Sequence, residues 1–113
     1  MELTERKCKP CEGGVLKLTK DEVNKLNSQL RIPWKIIDKM KISKQFNFKN
    51  YSETINFVNK VAKIAELEGH HPVLLVFYSK VEVFLWTHAI LGLSENDFIL
   101  AAKIDEISFH PVK

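Results

Sequence analysis

The chain has 113 residues, a net charge of +3, 45% apolar residues and 27% charged residues. This length supports a single hydrophobic core, and the composition is typical of a globular domain, which argues against long disorder. No apolar run approaches the ~20 residues of a membrane helix, and the N-terminus lacks the apolar segment of a signal peptide. We therefore expect a cytoplasmic protein without a membrane partner.

The charge is unevenly distributed. Basic residues outnumber acidic ones in residues 1–50, and the reverse holds in residues 51–113. A basic region can attract nucleic acid, but these lysines occur singly, as they do on a solvated strand face. We do not expect a nucleic-acid partner, and an anion-attracting surface is the alternative.

The two cysteines form one Cys-x-x-Cys motif, Cys8 to Cys11. A redox motif of the thioredoxin type would follow a strand, and a zinc site would need two further ligands at suitable spacing. We predict an N-terminal arm over residues 1–14, flexible and with little chemistry, followed by one domain over residues 15–113. A metal or redox role and a disulfide are the alternatives.

The first predicted helix begins at Thr19, because Thr19 and Glu22 form a capping box, and it ends before Pro33. From Trp34 to Phe48, apolar residues fall mostly at even positions with polar residues between them. This period predicts two strands, or one long bent strand, with one buried face.

The second predicted helix lies between Asn50, its cap, and Gly69, its C-terminal stop. The apolar run 73–78 predicts a buried strand, Ser79-Lys80 a two-residue connection, and residues 81–86 a fourth strand. The last helix opens with a capping box from Ser94 to Asp97.

This order of elements predicts an α+β fold, α-β-β-α-β-β-α, in which three helices pack on one face of a four-stranded antiparallel sheet. Both faces of the last hairpin are apolar, with Phe84 and Trp86 on one of them. Such an excess of apolar surface predicts a subunit interface.

Three of the four histidines lie at predicted element ends: His70 and His71 after the second helix, and His88 after the fourth strand. A hairpin that turns near Ser79 would bring these positions to the same end of the sheet. Glu66 lies one helical turn before His70, and Asp97 follows His88 in the first turn of the last helix.

An imidazole can give or take a proton at neutral pH, and a neighbouring carboxylate fixes its tautomer. The cluster therefore suits a reaction that needs a proton given at one place and removed at another. Each residue also has a simpler interpretation. The His-His pair is compatible with a loop without function, Glu66 with a solvated position and Asp97 with a helix cap, while three histidines could instead bind zinc.

Three segments, "AELEGHHP", "FYSKVEVFLWTH" and "GLSENDFILAAKID", closely resemble the pterin-4a-carbinolamine dehydratases, and so does "IPWKIIDKMKISKQFNFKNYSETINFVNKVAKIAE" upstream. The resemblance covers roughly residues 15–108. The positions that match the family pattern are Glu66, His70, His71, Pro72, Tyr78, His88 and Asp97.

The resemblance implies removal of water from a 4a-hydroxytetrahydropterin to give the quinonoid dihydropterin. It implies that His70 and His88 are the acid/base pair and that His71 binds and orients the pterin. Four further residues would contact the substrate or hold the imidazoles: Glu66, Asp97, Trp34 and Tyr78, with Trp34 as a flat apolar wall. No metal or organic cofactor is implied, and family members form homodimers or homotetramers.

The alternative function is a non-catalytic binding or assembly module. Some family members resemble transcription coactivators, and others resemble Rubisco assembly factors. Members of the Rubisco-assembly type tend to lose histidines from the pattern, whereas this chain retains all three. The sequence therefore favours an enzyme.

Overall fold

The computed structural model describes residues 2–10 and 15–109. Three helices are present in this part of the chain: α1 (Lys20–Ser28), α2 (Tyr51–Glu68) and α3 (Glu95–Phe109). The strands are β1 (Lys35–Ile37), β2 (Lys41–Asn47), β3 (Val73–Val76) and β4 (Lys80–Leu85), and short 3₁₀ turns cover Leu3–Glu5 and His88–Ile90. The predicted α+β fold and the order of its elements are confirmed.

The four strands form one antiparallel sheet in the order β1-β2-β4-β3, so β1 and β3 are its two edges. The residues of β2 and β4 that face the helices are almost fully buried: Ile42, Phe46, Val81, Val83 and Leu85. Their alternation with more exposed neighbours along β4 is the period of two that the sequence predicted.

The turn between β3 and β4 lies slightly earlier than predicted. The N–H of Phe77 donates to the carbonyl of Lys80 (2.8 Å), so Tyr78-Ser79 form the connection and Lys80 already belongs to β4. Val73 pairs with Phe84 in the resulting register. Extending that register toward the N-terminus of β3 places His70 opposite Thr87, one position before His88.

Helix α3 is the centre of the molecule, and it is buried on nearly every side. Phe98, Ile99, Leu100, Ala101 and Ile104 have no exposed surface. The helix contacts α1, α2 and the N-terminal 3₁₀ turn, whose Leu3 is part of the same core. Asp97, in the first turn of α3, has no exposed surface and is therefore held in a water-poor environment.

The N-terminal segment is packed against the domain over residues 2–10, because Leu3 is only 5% exposed and Cys8 packs against the core. The expectation of a flexible arm does not hold for these residues. The remainder of the predicted arm, including Cys11, lies outside the described residues. No helix in the described ranges is long and apolar enough to cross a bilayer.

Candidate active site

His70 is positioned by the C-terminal end of α2. Gly69 adopts a left-handed conformation (φ 65°) that ends the helix, and its N–H returns to the carbonyl of Glu66 (3.3 Å). The N–H of His70 also turns back, to the carbonyl of Ala65 (3.2 Å). A residue with a Cβ is disfavoured in this conformation, so glycine at position 69 allows the chain to turn sharply from α2 into His70. The His70 side chain is 5% exposed.

Asp97 is the partner of His70. The Nε2 atom of His70 lies 2.6 Å from Oδ1 of Asp97, whose side chain has no exposed surface. The other carboxylate oxygen, Oδ2, accepts hydrogen bonds from the Thr87 hydroxyl (2.9 Å) and the Ser94 backbone N–H (3.0 Å). Both oxygens are thus fixed, which a buried carboxylate requires.

Thr87 and Ser94 complete the support of Asp97, and sequence reasoning did not assign either to the site. Their hydroxyl oxygens are 2.7 Å apart. Because the single hydroxyl proton of Thr87 is donated to Asp97, Ser94 donates to Thr87. Ser94 was predicted as half of a capping box, but only the Asp97 half forms: the carboxylate reaches back to the Ser94 N–H, while the Ser94 hydroxyl turns to Thr87.

This arrangement determines the tautomer of His70. An ionised carboxylate can only accept, so the hydrogen between Nε2 and Oδ1 is carried by Nε2. In the neutral ring, Nδ1 is then the basic nitrogen, and in the protonated ring the positive charge lies next to Asp97. Asp97 therefore fixes both the tautomer and the orientation of the His70 ring.

His71 and Glu66 form a second pair at the surface. Nε2 of His71 lies 2.5 Å from Oε1 of Glu66, and the two side chains are 61% and 78% exposed. The pair spans the C-terminal turn of α2, and Glu66 can orient the imidazole without removing it from solvent. An exposed histidine of this kind can contact a ligand directly.

His88 begins the 3₁₀ turn that follows β4. Its backbone is held because Thr87 and Gly92 exchange hydrogen bonds across the loop (2.8 and 3.4 Å). Its side chain is exposed and makes no hydrogen bond within the described part of the chain. The His88 backbone is thus fixed next to Thr87, at the end of the sheet where His70 contacts Asp97.

Tyr78 and Trp34 are not brought to this end of the molecule. Tyr78 is 71% exposed in the β3–β4 turn and stacks on Tyr51, the first residue of α2, with ring centroids 6.0 Å apart. His70 lies just beyond the other end of α2, an 18-residue helix and so about 27 Å long. Within a single chain, Tyr78 therefore does not line the histidine cluster.

Trp34 is a core residue, with only 2% of its surface exposed. Its indole N–H donates to Asp105 (3.1 Å), and its backbone N–H and carbonyl both bond to the Asn27 side chain (2.9 Å each). It immediately precedes β1, at the opposite sheet edge from β3, about 14 Å away at the usual strand spacing. Its predicted role as a wall of the pterin pocket has no support from this placement.

Glu68 and Cys8 lie next to residues of the site: Glu68 is two positions before His70, and Cys8 contacts Asn96, the neighbour of Asp97. The Glu68 carboxylate accepts hydrogen bonds from the Lys103 ammonium (2.7 Å) and from the backbone N–H of Cys8 (2.9 Å). Although burial opposes ionisation, these bonds and the charges of Lys103 and Lys7 hold the pKa of Glu68 below its ordinary value. Burial, together with the negative charge of Glu68, raises the pKa of the Cys8 thiol to about 12.

Metal ligation was one alternative for the histidines and for Cys8. Across residues 2–10 and 15–109, no group of three or more His, Cys, Asp and Glu side chains is placed to hold a metal ion. Cys11 is outside these ranges.

The family model "Pterin 4 alpha carbinolamine dehydratase" matches residues 16–107. A protein of Nitrosomonas europaea is 54% identical over 104 residues, covering 92% of this chain and 91% of the relative. One of Alkaliphilus metalliredigens is 44% identical over 104 residues, covering 92% and 94%. Both relatives are provisionally named pterin-4-alpha-carbinolamine dehydratases.

Two solved structures are similar to this fold. A transcriptional coactivator/pterin dehydratase from Brucella melitensis has a TM-score of 0.77 and 33% identity, covering 82% of this chain and 99% of that one. A pterin dehydratase-like protein identified as a RuBisCO assembly factor in the alpha-carboxysome has a TM-score of 0.58 and 28% identity, covering 66% and 88%. The chain is thus a member of the pterin 4 alpha carbinolamine dehydratase family.

Proposed function

We propose that this protein is a dehydratase that removes water from a 4a-hydroxytetrahydropterin and gives the quinonoid dihydropterin. The observation that carries the proposal is the buried His70–Asp97 pair, 2.6 Å apart, at the sheet end where His71 and His88 are exposed. The family membership supplies the substrate class, and the geometry supplies groups that suit a paired proton transfer.

The reaction needs a proton for the departing 4a-hydroxyl group and a base for the N5 proton. One imidazole of the His70–His88 pair protonates the hydroxyl, which leaves as water, while the other takes the proton from N5. The pair as a whole keeps its number of protons, so the reaction needs no further reactant. General acid assistance of a poor leaving group such as hydroxide contributes about 10²–10⁴-fold.

Asp97 contributes by fixing the tautomer and orientation of His70. Thr87 and Ser94 hold Asp97 in turn. His71, exposed and oriented by Glu66, binds the pterin ring. This scheme uses no metal ion and no organic cofactor.

A second candidate function is a binding or assembly module, and one observation favours it. The edge strand β3 and the start of its turn expose an apolar row, Val73, Leu75 and Phe77, each 42–47% exposed. An exposed apolar sheet edge is a suitable surface for another chain. The same row supports a homo-oligomer, so it does not by itself displace the enzymatic proposal.

The experiment is to generate 4a-hydroxytetrahydropterin and to follow its dehydration by absorbance in the presence of EDTA. The wild type is compared with His70→Ala, His88→Ala and, as a matched histidine control, His110→Ala. We expect acceleration by the wild type and the control, and a loss of about 10²-fold or more in the other two variants. A wild type that gives only the spontaneous rate would refute the dehydratase and direct attention to protein partners.

A further inference from the structure

We propose that the N-terminal segment Arg6–Lys9, here called the strap, is a positioning element that holds the end of α2 and the start of α3 at the separation required by the His70–Asp97 pair. The kinetic consequence of this proposal rests on the proposed dehydratase function. The structural consequence, the order of the pair itself, does not depend on it.

The first contact of the strap is with the helix end that carries His70. The backbone N–H of Cys8 donates to Oε1 of Glu68 (2.9 Å), the last residue of α2 and two positions before His70. The other oxygen of Glu68 accepts from Lys103 of α3 (2.7 Å). The Glu68 side chain is 7% exposed. It therefore links α2, α3 and the strap at a position that is largely shielded from water.

The second contact is with the helix start that carries Asp97. The backbone N–H of Lys9 donates to Oδ1 of Asn96 (2.9 Å), and Nδ2 of Asn96 donates to the Lys9 carbonyl (2.8 Å). Asn96 is 2% exposed and immediately precedes Asp97. One residue further back, Arg6 and Glu95 form an ion pair (3.1 Å).

Two adjacent strap residues therefore bind the two segments that carry the histidine and its carboxylate. Consecutive Cα atoms are ~3.8 Å apart, so bonds from neighbouring backbone positions fix the distance between those segments closely. Without the strap, the buried Asn96 amide would lose both of these bonds, an arrangement that folded proteins avoid. The helix ends would then shift or admit water, and either change lengthens the His70–Asp97 bond.

The main contacts are made by the backbone of the strap and not by its side chains. The bonds to Glu68 and Asn96 come from the backbone of Cys8 and Lys9, and the Lys9 side chain is exposed. This property allows a clean test, because a backbone N–H can be removed while the rest of the residue is varied separately.

The test compares Lys9→Pro with Lys9→Ala. Proline has no N–H and deletes the bond to Asn96, whereas alanine removes the same side chain and keeps that bond. Asn96→Ala removes both bonds. Val81→Ala, a fully buried position at the turn end of β4, serves as the control for a general loss of core packing.

Two readouts are measured: kcat and KM for 4a-hydroxytetrahydropterin, and the exchangeable imidazole proton resonance of His70, assigned by its loss in His70→Gln. We expect Lys9→Pro to lower kcat about 2- to 10-fold, the effect of one hydrogen bond, with little change in KM. Asn96→Ala should lower kcat further. In both variants the His70 proton exchanges faster with water, while Lys9→Ala and Val81→Ala retain the wild-type signal.

Equal kcat and equal His70 signals in Lys9→Pro and Lys9→Ala would overturn the proposal. So would a Val81→Ala variant that loses the His70 signal as Lys9→Pro does, because the strap would then contribute only to general stability. If the wild type has no dehydratase activity, the proposed function fails, and the proton signal alone decides the role of the strap. If Lys9→Pro does not fold, the same comparison is made between Asn96→Ala and Val81→Ala.

Discussion

Replacing Asp97 with asparagine changes the charge of the buried partner of His70 while keeping its shape. Both groups that contact Oδ2, the Thr87 hydroxyl and the Ser94 N–H, are donors, so the amide must place its oxygen there. Its NH₂ group then faces Nε2 of His70, at the position now 2.6 Å away. Nε2 must accept, which reverses the tautomer, and a protonated His70 would place two donors against each other.

The size of the effect follows from the interaction that is lost. A hydrogen bond to a charged group contributes about 1.5–3 kcal/mol, and removing it from the transition state lowers kcat about 10- to 150-fold. KM should change little, because Asp97 has no exposed surface with which to touch a substrate.

The assay is steady-state dehydration of 4a-hydroxytetrahydropterin, with urea unfolding measured in parallel. The matched control is Asp105→Asn, which changes another buried carboxylate of α3, one bonded to Lys44 and Trp34 away from the histidines. We expect the control to lose stability but to retain kcat in its folded form. A folded Asp97→Asn variant with kcat within about twofold of the wild type would refute the assigned role of the pair, since even the low end of the range is about tenfold.

Three further predictions concern the region around the site. Gly69→Ala should lower the free energy of unfolding, measured in urea titrations, by about 1 kcal/mol, because alanine is strained at a φ of 65°. No heavy atom lies within 4 Å of an added Cβ, so this backbone strain is the whole expected effect. An unchanged free energy of unfolding would contradict this. Because the pKa of Glu68 is lower in the folded protein than its unfolded value of 4.5, the ionised carboxylate stabilises the fold above pH 4.5, and this contribution is lost as the pH falls through the folded pKa. Glu68→Gln should therefore lose less free energy of unfolding than the wild type between pH 5 and about pH 3. Parallel curves of unfolding free energy against pH would contradict this. In a Cys11→Ser background, Cys8, with its pKa raised to about 12, should react with iodoacetamide at pH 8 on the order of 10³-fold more slowly when folded than in urea, and equal rates would exclude a protected thiol.

The local features of the fold were predictable because neighbouring residues determine them. Thr19 and Glu22 form the predicted capping box, with bonds of 2.9 and 3.2 Å, and Asn50 caps α2. Gly69 ends α2 in the left-handed conformation expected of a helix stop. The position of the hairpin turn was predicted one residue too late, because Tyr78-Ser79 contains neither the glycine nor the asparagine that marks a two-residue connection.

The roles of distant residues were less predictable. For Asp97, helix cap and histidine partner were competing interpretations in the sequence, and the structure shows that one carboxylate does both, with Oδ2 on the Ser94 N–H and Oδ1 on His70. Trp34 was expected at the site, but it immediately precedes β1, which lies at the far edge of the sheet. The contact between Lys9 and Asn96 joins residues 87 positions apart, and no local pattern indicates it.

The sequence by itself determined the elements of this protein, their order, the α+β class and the set of histidines that match the family, because periodicity, caps and motif spacing depend on residues close together in the chain. Only the tertiary structure decided which of those residues meet. The sheet order β1-β2-β4-β3 separates Trp34 from the histidines, the length of α2 separates Tyr78 from them, and the burial of α3 brings Asp97 to His70. These distances follow from packing of the whole chain, which a pattern within one segment does not encode.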